Sequence, residues 1–294
     1  MLTRPSQMNL VRAIWRRRGA YLFIAAPLLS LLVFVAYPLA SSLILSFTDW
    51  NGVQPPQWIG LANYYRLGRD EEFLISVRNT VVFAVESLVG GVGIALVAAL
   101  IINRRLRGHN FFRAVYFLPV VTNMVAIGFL WKLIYHPRGL LNYLISLVGF
   151  DPIRWLGHPD FALHSIVLMS IWQGFGYSMV LFLAALQTIP IELYEAATID
   201  GANVWHRFRH VTWPGLQNIM LFISITGVSG AFTVFTQIYV MTNGGPLSST
   251  QTIMLHLFNQ FQSLNLGYAN AIGFSLFIFL FVFALINLKL NVHE

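Results

Sequence analysis

The stretch Glu192-Leu193-Tyr194-Glu195-Ala196-Ala197-Thr198-Ile199-Asp200-Gly201-Ala202, running on through Phe208 to Trp213-Pro214, is a polar island between two long apolar runs. Its acids, Glu192, Glu195 and Asp200, have almost no counterparts in those runs. Pro190, just before Glu192, suits a helix start. Acids in a first turn complement the positive end of the helix dipole. Tyr194-Glu195-Ala196-Ala197 continue with mostly good helix formers, and Gly201 breaks the helix or bends the chain. A second short helix is expected from Ala202 to Val211, with Pro214 closing the segment. A helix–bend–helix is more ordered than a membrane loop needs to be, and its expected use is to dock another protein.

The flanking runs set the class. Of 294 residues, 57% are hydrophobic and only 10% charged, with a mean hydropathy of +0.67. Soluble domains carry about 25% charged residues, so the chain reads as an integral membrane protein. It has no cysteine, which excludes disulfides and thiolate metal sites. The net charge of +7 reads as arginines that set topology rather than as a nucleic-acid surface. The basic start (Arg4, Arg12, Arg16, Arg17, Arg18) resembles that of a signal peptide. However, the apolar run from Tyr21 to Phe47 is far longer than the usual signal core and no A-x-A site follows it. Residues 1–20 are therefore read as a basic cytoplasmic segment and residues 21–294 as one transmembrane domain.

Six runs are long enough to cross a bilayer, at 21–46, 79–102, 112–135, 163–187, 217–241 and 267–288. Basic residues concentrate in alternate connections: the N-terminal segment, Arg104, Arg105, Arg107 and Arg113, then Arg207 and Arg209, then Lys289. The other connections balance Arg66, Arg69, Arg78, Arg138 and Arg154 with Asp70, Glu71, Glu72, Asp151 and Asp160, and 242–266 carries no charge. This bias predicts an all-α fold of six transmembrane helices with both termini in the cytoplasm. The 188–216 segment is then a cytoplasmic helical loop between spans four and five. Pro27, Pro38 and Pro119 predict kinks. Gly90, Gly91 and Gly93 predict close helix approach. A small outer helix is expected near Ile59–Tyr65.

Several chemistries are absent. A Walker A loop needs Lys followed by Ser or Thr, but Lys132 and Lys289 are each followed by Leu. If ATP drives this chain, the ATPase is another chain. His206 and His210 have helical spacing but no acidic ligand or Cys beside them, so a solvated face is expected rather than a metal site. Glu86 is the acid deepest in a span; it reads as a structural pair with Lys132, as a partly hydrated carboxylate, or as a proton site. No nucleophile, base and orienting group cluster in any loop, so an enzyme is not indicated. Neutral polar residues do collect. Thr226, Ser229, Thr233, Thr236 and Gln237 recur on one helical face of span five. Gln173, Tyr177 and Ser178 lie mid-span beside Trp172 and Phe175, and Thr122 and Asn123 follow Pro119. These residues line a path for a neutral polyhydroxyl solute, or they bond helix to helix.

The polar island resembles the EAA loop of binding-protein-dependent ABC importer permeases. Glu195-Ala196-Ala197, Asp200-Gly201-Ala202, Phe208 and Pro214 match that loop, with Trp213 where Leu is usual. Leu183-Ala184-Ala185-Leu186-Gln187-Thr188-Ile189-Pro190 looks like the run that leads into it in carbohydrate-uptake permeases. Thr242-Asn243-Gly244-Gly245-Pro246, with Thr250, looks like the outer-loop motif of their first permease subunit, of maltose and glycerol-3-phosphate type. The resemblance covers residues 75 to the end. It implies a second, homologous permease subunit, an ATP-binding cassette ATPase dimer that holds the ATP and Mg, and an extracytoplasmic solute-binding protein. This chain itself carries no cofactor. Glu195 would pair with a basic ATPase residue, with Glu192, Ala196, Ala197 and Ala202 in the same docking segment, and Gly201 would permit the bend. Thr242, Gly244, Gly245 and Pro246 would face the binding protein. The implied setting is the cytoplasmic (inner) membrane of a bacterium or archaeon, and the implied solute is a sugar or sugar-like compound. The alternative is a stand-alone secondary transporter or channel for a polar solute.

Overall fold

The computed structural model describes residues 18–103 and 108–291. Arg4, Arg12, Arg16, Arg17, Arg104, Arg105 and Arg107 lie outside the described residues. Helix α1 (Arg18–Leu31), a π-helical stretch (Leu32–Ala36) and α2 (Tyr37–Ser46) run on as one rod. The π stretch has a local cause. Pro38 has no N–H to give the Phe34 carbonyl, and its ring would crowd that carbonyl in an α-helix. The wider turn, in which the Tyr37 N–H reaches Leu32 O, brings the chain to Pro38 without that approach. The expected kink is thus a widened turn.

A two-stranded antiparallel ribbon follows, β1 (Thr48–Asp49) with β2 (Gln57–Trp58), so the fold is mostly rather than wholly helical. The small outer helix is α3 (Ala62–Leu67), slightly beyond its expected place. Helix α4 (Glu71–Asn103) then begins well before residue 79. Asp70 caps it, its Oδ1 accepting the N–H groups of Glu72 and Phe73 at 3.0 and 3.2 Å.

The third apolar run is broken rather than kinked. Helices α5 (His109–Val121) and α6 (Met124–Ile134) meet at 99°. The break falls at Thr122–Asn123, because Thr122 is extended and Asn123 Oδ1 caps α6 through Val125 N–H at 2.9 Å. Helix α7 (Leu140–Leu147) lies in the next connection and α8 (Pro159–Thr188) is the fourth run. The polar island forms α9 (Ile191–Ile199), α10 (Val204–Arg207), a second π stretch (Phe208–Thr212) and α11 (Trp213–Gly215).

The fifth run is also interrupted. Helix α12 (Gln217–Phe232) stops at Thr233 and the chain restarts as α13 (Thr236–Met241). A distant side chain stabilises the gap: Thr252 Oγ1 donates to the Val234 carbonyl at 3.1 Å. Helices α14 (Ile253–Gln262) and α15 (Leu266–Asn291) complete the chain. Among the described residues, four continuous helices are long and apolar enough to cross a bilayer, and the count reaches six if each bent pair is one span.

Helices α4 and α8 pack side by side as the central pair, with α5 and α12 against them. The crossing of α5 and α8 depends on Gly176, where any side chain would collide with the Tyr116 carbonyl oxygen. Gly90 likewise faces Ile171, whereas Gly91 and Gly93 border cavities instead of a touching helix. Two apolar clusters result. One joins α4, α6, α8, α13, α14 and α15. The other joins Ala95 and Ala99 of α4 to Met179, Phe182 and Leu183 of α8 and to Leu216 and Ile223 at the start of the fifth run.

Candidate functional site

The island is built from its capping residues. Pro190 stands at the N-cap of α9. At the other end the Gly201 N–H donates to Thr198 O at 3.1 Å and the Ala202 N–H to Ala197 O at 2.9 Å. This paired closure needs a left-handed residue after the helix, and Gly201 has φ +76. Asn203 then caps α10, its Oδ1 accepting the His206 N–H at 2.9 Å. Pro214 does not close the segment. It stands just after the second π stretch, where the Trp213 N–H reaches Phe208 O, as Tyr37 reaches Leu32 before Pro38. The bend comes at Leu216, where the rod Val204–Gly215 meets α12 at 64°.

No residue of α9 is buried. Glu192, Glu195 and Asp200 are exposed, and Ala197 and Ala202 are half-buried. Apolar side chains stand out beside the acids, including Ile199 at 86% exposure, Val204 at 67% and Trp205 at 63%. Two links run from α9 toward the bundle, the first of them within the island. The Tyr194 hydroxyl bonds Thr212 Oγ1 at 3.0 Å. Leu216, fully buried, inserts into the cluster formed by α4 and α8. A cavity of ≈ 780 Å³ lies between foot and bundle, lined by Leu100, Asn103, Tyr194, Trp205 and Phe208 among others. The rings of His206 and His210 stack at 6.0 Å, and no group of metal-binding side chains exists among the described residues.

The polar side chains of the spans divide. Tyr177, Ser178, Thr226 and Gln237 line a cavity of ≈ 300 Å³ among α4, α8 and α12, together with Ser87 and Ser170. Gln173 instead donates to Pro119 O at 3.4 Å, and Asn123 is spent on its cap. Thr226, Ser229 and Thr233 donate to carbonyls of their own helix, so they bond within the helix rather than across to a neighbour. The expected single stripe ends at Phe232, and Thr236 and Gln237 belong to a separate helix. Glu86 does not pair with Lys132. Its Oε2 lies 2.8 Å from His164 Nδ1 on α8, while Lys132 donates to Val240 O at 3.3 Å.

The Gly-Gly-Pro segment is held by side chains that the sequence reading passed over. Asn79 Nδ2 donates to Ser248 O at 2.9 Å and to Gln251 O at 3.0 Å. Thr80 Oγ1 accepts the Ile253 N–H at 3.0 Å. The Thr242 and Thr250 hydroxyls bond at 2.7 Å, and Thr250 donates to Gly245 O at 2.8 Å. Gly244 is buried, Thr242, Gly245 and Pro246 are half-buried, and Leu247 at the tip is 89% exposed. Beside it, His256 is wholly buried with Nε2 3.4 Å from Asp70 Oδ2 and Nδ1 3.8 Å from Glu72 Oε2. Gln251 Nε2 donates to His256 Nδ1 at 3.0 Å, and the Tyr268 hydroxyl donates to Asp70 Oδ2 at 2.7 Å. Arg66 lies 4.0 Å above the Tyr268 ring. Burial pushes the His256 ring below its ordinary value and outweighs the pull of Asp70 and Glu72. Burial raises the Asp70 carboxyl, but the Tyr268 hydroxyl, the Phe73 N–H and the His256 ring bring the net value below the ordinary one.

Known proteins resemble this chain in sequence and fold. The family described as binding-protein-dependent transport system inner membrane component matches residues 91–291. The probable ABC transporter permease protein YurN of Bacillus subtilis is 37% identical over 276 residues, covering 92% of this chain and 94% of that protein. The trehalose/maltose transport system permease protein MalF of Thermococcus litoralis is 35% identical over 273 residues, covering 92% of each. Among solved structures, a chain of a bacterial ABC transporter involved in import of the acidic polysaccharide alginate superposes with a TM-score of 0.85 at 22% identity. The match covers 97% of this chain and 99% of that one, and it extends the likeness of fold to almost every residue. This chain belongs to the binding-protein-dependent transport system inner membrane component family.

Proposed function

We propose that this chain is a permease subunit of an ATP-driven importer for a sugar or sugar-like solute, coupled through α9 to a separate ATPase. The observation that carries the reading is the foot itself. A capped helix with no buried residue, bearing Glu195 and flanked by bare Ile199, Val204 and Trp205, leaves apolar area open to water. Such patches mark partner sites. Ala196 and Ala197 leave room for close seating in a groove, and an acid buried there needs a basic partner. Movement of α9 passes through Tyr194–Thr212 and Leu216 into α4 and α8, which border the cavity. The ATP and Mg sit on the partner ATPase dimer, and a second permease completes the path. An extracytoplasmic binding protein delivers the solute. The foot is read as cytosolic, in a bacterium or archaeon, from the bias of arginines toward alternate connections, with α12 and α13 as the fifth crossing and both termini inside.

The carbohydrate class is supported by relatives whose names refer to trehalose/maltose, lactose and arabinooligosaccharide transport. Neutral hydroxyls and amides in the cavity agree with a polyhydroxyl solute. Co-purification of the chain with a nucleotide-binding subunit tests the coupling. Glu195→Lys is expected to leave the chain folded and to uncouple ATP hydrolysis from uptake. Normal uptake in that variant would count against the docking role of Glu195, and solute flux by this chain alone down a gradient would overturn the proposal in favour of a stand-alone transporter.

A further inference from the structure

The exposed side of α3 carries two cations that form no ion pair among the described residues. Asn63 and Leu67 face inward. Asn63 Nδ2 donates to Ser46 O and to Thr48 O, each at 2.9 Å, and Leu67 is buried. Ala62, Tyr65, Arg66 and Arg69 share the outward side at helical spacing, and together they line a recess of ≈ 550 Å³. Both arginines are exposed. Asp70, the nearest acid in sequence, is turned to Tyr268 and His256 instead. The small side chain of Ala62 leaves the recess open, and Tyr65 brings a hydroxyl to its wall.

The depth of the recess indicates its occupant. At about 1.5 Å per residue, α15 rises roughly 30 Å from Lys289 to Tyr268. The hydrocarbon core of a bilayer is also about 30 Å thick. With Lys289 at the cytoplasmic surface, Tyr268 stands at the outer edge of that core. The Arg66 guanidinium lies 4.0 Å from the centre of the Tyr268 ring, and so at the level of the headgroups. Trp58, Leu61 and Tyr65, all exposed, lie beside it in the chain, and aromatic residues collect at that level. We propose that Arg66 and Arg69 bind the phosphate of an outer-leaflet phospholipid, with a preference for an anionic headgroup. The inference rests on the importer reading for its sidedness only. The planar fork of arginine matches phosphate oxygens. A zwitterionic lipid brings its own ammonium toward the two guanidiniums, whereas phosphatidylglycerol brings negative charge alone. The bound headgroup fixes the level of α3 and, through Arg66 on Tyr268, that of the outer end of α15.

The chain has no cysteine, so Leu61→Cys gives one labelling site on it, with the unsubstituted complex as the blank. A bimane attached there is followed in phosphatidylcholine nanodiscs. The titrants are phosphatidylglycerol and phosphatidylcholine, each with a nitroxide high on one acyl chain. The phosphatidylglycerol probe should reach half-quenching at about tenfold lower mole fraction, the scale for two arginines near an anionic lipid. Arg66→Gln combined with Arg69→Gln should bring the two titrations together. Lysine at both positions should keep most of the preference, which separates charge from packing on Tyr268. Equal quenching by the two lipids with both arginines present, or a preference that survives the double glutamine change, overturns the site. So does quenching by aqueous iodide alone, as at a surface for a soluble protein, or by none of these, as beneath a second permease. The readout needs no transport. Lipid preference without ATP-driven uptake removes the importer reading and leaves the headgroup site, and uptake without lipid preference removes the site alone.

Discussion

Single residues decide several local geometries. Gly201 holds φ +76 where the closing bonds of α9 require a left-handed residue. Gly201→Val should cost about 1–2 kcal/mol locally, seen as faster hydrogen exchange at Gly201 and Ala202 and lower uptake in the intact assembly. Asn79 donates twice to the 248–251 segment, to Ser248 O and Gln251 O. Asn79→Leu leaves the Gln251 carbonyl unpaired, while Ser248 O keeps the Gln251 N–H at 3.1 Å, and should cost about 1–3 kcal/mol, measured as a drop in thermal stability with faster exchange in residues 248–253. The same scale shows the limits of sequence reading. The Glu195-Ala196-Ala197 and Asp200-Gly201-Ala202 groups were legible because capping and bending are local. The partner of Glu86 was not, because depth in a span says nothing about rotation about the helix axis. Lys132 matched in depth, but His164 faces Glu86.

At the scale of elements, long apolar runs were legible by length, and their interruptions were not. Thr122–Asn123 and Thr233 read as members of polar faces, yet they end helices. The carbonyl freed at Val234 is satisfied by Thr252, from another segment, and no local pattern announces that bond. Helices α7 and α14 were missed because both are short and lie in connections. Helix α14 carries the titratable part of the outer cap, in which His256 faces Asp70, Glu72 and Arg66. Because burial depresses the His256 value, the opened cap binds more protons than the closed one. The contribution of His256 is therefore full above about pH 6.5, the value of a free imidazole, and is lost as pH falls below it. The lowered Asp70 acts in the same direction, further down the acid range. Relative to the intrinsic exchange rate at each pH, α14 should be less protected at pH 5.5 than at pH 7.5, and His256→Gln should remove most of that difference.

For the molecule as a whole, the fold class and the family resemblance were readable from composition, spacing and the polar island. The exposure of the first rod was not. The segment Phe23–Ser46 has none of its most apolar window buried against the rest of the chain. Lipid alone can cover such a rod, but its C-terminal part, α2, packs on α15 and its N-terminal part is exposed. Removing residues 1–46 should leave the remaining helices folded and abolish stable association with the proposed second permease, as read by size-exclusion chromatography of the co-expressed subunits. Retained association would assign this helix to lipid.

The two π stretches have a geometric consequence. Each inserts one extra residue into a rod, two places ahead of a proline. An added residue advances the azimuth by about 100°, so side chains upstream point a quarter-turn or more away from where an unbroken α-helical wheel would put them. Any wheel drawn through Leu32–Ala36 or Phe208–Thr212 without that offset assigns the wrong azimuth to every upstream residue of the same rod, including the exposed Trp205.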